Sequence, residues 1–111
     1  MKRFMVLYNA PVPAAEMMSS LSPEEAKAGM DAWMAWSAQT GDALVDFGMP
    51  VQAARRVTAD AAAESTNQAS GYSIVQAEDV DAATALMAKH PHLQMVGASI
   101  DVLEILPMPG M

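Results

Sequence analysis

There is no cysteine in the chain, so disulfides, thiolate nucleophiles and cysteine-ligated zinc or iron–sulfur centres are excluded. Nothing then calls for an oxidising compartment. Positive charge is scarce: six Lys and Arg stand against thirteen Asp and Glu, a formal net charge of −7. No basic run neutralises a phosphate backbone, so nucleic acid is not an expected partner. Long apolar runs are missing too. No stretch approaches the roughly 18 residues of a membrane span. The apolar run after Lys2 and Arg3 is five residues, 4–8, short of the roughly 7–15 of a signal-peptide core. A cytoplasmic protein with no membrane segment is expected. The glycines Gly29, Gly41, Gly48 and Gly71 are scattered and form no phosphate-cradling loop. No serine sits in a nucleophile-elbow context.

What the chain has in excess is apolar bulk. Hydrophobic residues make up 52 % of 111 positions, and eleven are methionine. A chain of this length forms one domain, here residues 1–106 with 107–111 as a C-terminal tail. The surplus implies a second buried surface, such as a subunit interface. Methionine suits adaptable surfaces of that kind and suits a core equally well.

The pattern along the chain predicts two helices and four strands. Residues 3–9 alternate Phe4, Val6 and Tyr8 against Met5 and Leu7, and Pro11 and Pro13 close the run. Ser22-Pro23-Glu24-Glu25 is a helix start with a complete capping box. In that helix Ala26, Met30, Trp33 and Ser37 line one face, flanked by Met34 and Trp36, and Gly41 ends it. A short strand over 44–47 and an extended segment over 51–58 follow, then a mobile hairpin connection over 59–70. Residues 71–77 read as a strand and 78–89 as a helix with Asp79 and Asp81 in its first turn. The last strand, 99–106, alternates Ile100, Val102 and Leu106 against Leu103 and Ile105, with Asp101 and Glu104 nearer solvent.

The order β-α-β-β-α-β folds by right-handed crossovers into an α+β, ferredoxin-like antiparallel sheet with two helices on one face. Its strands are apolar on both faces, so the uncovered face needs a cover. A homodimer is the simplest one.

Three stretches carry a family resemblance: residues 71–78 (Gly-Tyr-Ser-Ile-Val-Gln-Ala-Glu), Asp81-Ala82-Ala83, and His90-Pro91-His92-Leu93. With Gly97-Ala98-Ser99-Ile100-Asp101-Val102 at the last strand, the chain resembles the YCII-related family over nearly its whole length. The resemblance implies a dimeric α+β barrel and a cofactor-free lyase or isomerase acting on a small organic acid or lactone. Two departures stand out. The Asp-Gly-Pro-Phe signature of one branch is replaced by Thr66-Asn67-Gln68-Ala69-Ser70. The first-helix His of the enzyme-like branch falls near Met30 or Asp31, so its dyad does not transfer.

His90 and His92 are the only imidazoles, and so the only side chains that ordinarily titrate near neutrality. One reading makes either of them a general acid or base, with Asp46 as partner. Tyr8, Trp33 and Trp36 then line the pocket, Trp36 reaching further into it. The other reading has His90 at a helix end and His92 capping a turn, leaving a non-catalytic module that binds a small ligand or a protein. His-x-His across a proline lacks zinc-site spacing, so no metal is expected. Asp31, four residues after Lys27, reads as a solvated surface residue.

Overall fold

The computed structural model describes residues 1–110. In chain order its elements are β1 (Lys2–Asn9), α1 (Ala14–Ser20), α2 (Pro23–Thr40), β2 (Leu44–Asp46), β3 (Arg55–Val57), β4 (Ala62–Glu64), β5 (Ala69–Ala77), α3 (Val80–Met87) and β6 (Ser99–Ile105). The alternating runs become the centre of a four-stranded sheet ordered β2-β5-β1-β6, with every neighbouring pair antiparallel. The path from β1 to β2 therefore skips over β5, and the path from β5 to β6 skips over β1.

Alternation decides which side chains meet the helices. Phe4, Val6, Tyr8, Val75 and Ala77 share one face of the sheet, and Trp36 of α2 and Ala83 and Met87 of α3 pack onto it as a single core. Full burial of each large apolar side chain there contributes roughly 1.5–3 kcal/mol. The opposite face carries rows running across three strands: Ile74–Met5–Leu103 and Tyr72–Leu7–Asp101. No helix covers this face, and Leu103 and Ile105 are exposed on it.

The helix ends follow their local chemistry. Ser22 Oγ accepts from the Glu25 N–H, and Glu25 Oε1 accepts from the Ser22 N–H, each at 3.1 Å. Those bonds hold the Glu25 carboxyl below its ordinary range. Gly41 ends α2 with φ at 60°, a conformation that favours glycine. Asp79 caps α3 by accepting from the Ala82 N–H at 2.8 Å, so this helix starts at Val80 rather than 78.

Several expectations need correction. Residues 14–20, given no element by the sequence reading, form α1. Ala26 and Met30 are exposed and line the cleft described below instead of joining the core, since the buried residue of α2 is Trp36, in its C-terminal half. The connection over 59–70 contains a strand: β4 pairs with β3 in register Arg55–Glu64, Arg56–Ala63 and Val57–Ala62. This hairpin is exposed along its whole length. It helps raise the radius of gyration to 15.5 Å, against roughly 13 Å for a compact chain of this size. Among the described residues no helix is long and apolar enough to cross a membrane.

Candidate functional site

Two elements converge on β1 from the same side and leave a gap. α2 descends toward the core at Trp33 and Trp36, while the His90-Pro91-His92 turn follows α3. Trp36 is buried, and its Nε1–H donates to the Leu86 carbonyl at 3.1 Å, tying α2 to α3. One turn earlier, Trp33 is only half-buried. Beyond it α1, the start of α2 and residues 47–50 enclose an apolar cleft of about 460 Å³. Tyr8, Trp33, Phe47 and His92 are on its lining, with five methionines: Met17, Met18, Met30, Met49 and Met95.

Proline and backbone geometry build the histidine turn. Pro91 starts a short 3-10 turn over Pro91–Gln94, and His90 caps it. His90 Nδ1 accepts from the His92 N–H at 3.0 Å, which places the proton of a neutral His90 on Nε2. Nε2 is buried with no hydrogen-bond partner. Around the ring stand Trp33 at 4.4 Å, Trp36 at 4.4 Å and Tyr8 at 4.7 Å between centroids, the two indoles edge-on. Burial in this aromatic cage, with His92 nearby, pushes the His90 pKa down to about 4. His90 is a neutral core residue.

His92 differs. Its Nε2 lies 2.8 Å from the Asn9 carbonyl oxygen, an acceptor only, so Nε2 carries the proton. In the neutral ring Nδ1 keeps its lone pair, and no group of the described protein bonds to it. Beside it the Tyr8 hydroxyl donates to Ser73 Oγ at 2.8 Å, and Ser73 donates to the Phe47 carbonyl at 2.7 Å. Burial pushes the Tyr8 pKa up to about 12, with the Ser73 hydrogen bond opposing the rise.

The structure thus brings together five of the expected residues: Tyr8, Trp33, Trp36, His90 and His92. Two expectations need correction. Trp36 is not on the cleft wall, since the sheet lies beneath it and Trp33 is the one that reaches out. Asp46 partners neither imidazole. It sits on the edge strand β2, where the register slips between Leu44 and Asp46. That irregularity leaves its carboxylate exposed, accepting from the Gly48 N–H at 2.8 Å. Sequence reasoning missed the residue types that shape the cleft, α1 and the methionines. Their one legible signal was the methionine excess.

No known family model matches the chain, and no curated protein matches it. The site has to be read from its own geometry. A second hollow of about 250 Å³ lies between residues 10–13 and 65–69 and has no ionisable side chain on its lining. Among the described residues no group of three His, Asp or Glu is placed to hold a metal ion.

Proposed function

We propose that this protein binds a small, largely apolar molecule in the cleft bounded by α1, α2 and residues 47–50. The observation that carries the reading is the cleft itself. About 460 Å³ of space is walled by methionines and aromatics and carries a few polar groups around His92, which is the composition of a ligand site. Methionine-rich walls adapt to more than one shape. Of the two functional readings, the binding module has the better support, since the Asp46 carboxylate is committed to Gly48 and His90 is buried and neutral. Any acid–base role falls to His92 alone.

We read the scaffold as ferredoxin-like and homodimeric. The strand order β2-β5-β1-β6 supports the first, and the uncovered apolar rows of the sheet support the second. The resemblance to the YCII-related family rests on the quoted motifs, with His90-Pro91-His92 at the site.

Gly29 offers a clean test. It lies on the cleft wall inside α2 with nothing within 4 Å of an added Cβ. Gly29→Leu replaces a poor helix former with a good one, so it raises stability by about 0.5–1 kcal/mol while filling the cleft. Calorimetric titration with naphthalene-sized apolar compounds is expected to give saturable binding, one molecule per chain, lost in Gly29→Leu. No saturable heat across such a series would overturn the reading.

A further inference from the structure

The placement of protons around the cleft narrows what can bind there. Three lining or adjoining hydroxyl and imidazole groups spend their hydrogens on protein acceptors. Tyr8 donates to Ser73, Ser70 Oγ donates to the Tyr8 carbonyl at 2.9 Å, and His92 Nε2–H is held by the Asn9 carbonyl. Because a carbonyl cannot donate, these directions are fixed. The direction of the Tyr8–Ser73 relay is set the same way, by the Phe47 carbonyl at its end. In the neutral ring His92 Nδ1 then offers a lone pair, and no group of the described residues bonds to it.

Charge points the same way. No Lys or Arg is on the lining, and its one carboxylate is Glu25, already bonded to Ser22. The lining's unpartnered side-chain donor, the indole N–H of Trp33, is uncharged. A bound anion would lose its hydration and meet no Lys or Arg, which is costly in an apolar cleft.

We infer that the molecule bound in this cleft is neutral and donates a hydrogen bond to Nδ1 of His92, as a phenol, enol or N–H compound does, in preference to a carboxylate. This inference rests on the cleft being a ligand site. It runs against the small organic acid that the family resemblance implies.

Three probes with the same ring system test it by calorimetry: naphthol, its methyl ether and naphthoate. Naphthol is expected to bind about ten-fold more tightly than the ether, the worth of one hydrogen bond to an otherwise unpaired acceptor. Naphthoate is expected to bind most weakly. His92→Phe is expected to remove the preference for naphthol over the ether. Nitrogen-15 NMR of the unmodified protein gives a second readout that needs no variant to fold: the His92 Nδ1 resonance moves upfield with naphthol and stays put with the ether. Naphthol and ether binding equally with Nδ1 unmoved, or naphthoate binding as tightly as naphthol, would overturn the inference and leave the cleft reading standing. If none of the three saturates, both fall.

Discussion

At the scale of single residues, two neighbours of one amino-acid type have opposite fates. His90 and His92 were equal candidates in the sequence, because both follow α3 and flank one proline. Their environments separate them: one ring is sealed among indoles, the other lies on a cleft wall. The sealing has a pH consequence. The His90 pKa is about 4 in the folded chain and ordinary in the unfolded one, so between those values the unfolded chain binds more protons. Stability from neutral burial of His90 is therefore full above about pH 6.5 and is lost as pH falls toward 4, on the order of 3 kcal/mol in all. Urea titrations at a series of pH values are expected to show that slope, flattened in His90→Asn. An equal slope in both proteins would assign the acid sensitivity elsewhere. Gly48 is a second constrained position. Its φ is 79°, and an added Cβ would stand 1.6 Å from the Tyr72 carbonyl oxygen. Gly48→Ala is expected to cost at least about 3 kcal/mol in chemical unfolding. Nothing in the sequence marked this glycine above the others, since the clash is with Tyr72 of β5, far along the chain.

At the scale of elements, local signals were read well where local chemistry decides. The Ser22–Glu25 box, the stop at Gly41 and the alternation along β1 and β5 are all present as the sequence implied. Ser22→Ala is expected to lower stability by about 1 kcal/mol, and circular dichroism with urea unfolding checks it. The value depends on α2 being anchored chiefly at its C-terminal half, through Trp36. Elements whose form depends on a distant surface were read less well. α1 begins after a proline-rich stretch that signals a break, yet it supplies Ala14, Met17 and Met18 to the cleft wall. Helical periodicity ranked Trp36 as the residue nearer a pocket, because a wheel shows angle but not how deeply each turn of the helix is buried.

At the scale of the whole molecule, two features stay unpaired in the single chain. One is the apolar sheet face, with Leu103 44 % and Ile105 43 % exposed. The other is the β3–β4 hairpin, since a two-stranded hairpin is marginal alone in water. Its Arg55 and Arg56 stand out on a chain of net charge −7. In the proposed homodimer a second copy covers the apolar sheet face. Light scattering is expected to give about twice the 11.7 kDa of the chain, and Leu103→Lys to halve that mass while keeping the helical circular dichroism signal. A monomer at micromolar concentration in the unmodified protein would remove the dimer.

Sequence alone determined the alternating strands, the capped helices, the acidic charge and the absence of thiol chemistry. Each of these depends on neighbours within a few positions or on a count. Only the tertiary structure decided which histidine is sealed, which tryptophan meets the cleft and that Asp46 faces water. Those outcomes turn on where one element ends relative to another and on which carbonyl lies opposite which nitrogen. Hydrogen bonds between residues 83 positions apart, such as His92 to Asn9, leave no local trace for a sequence to carry.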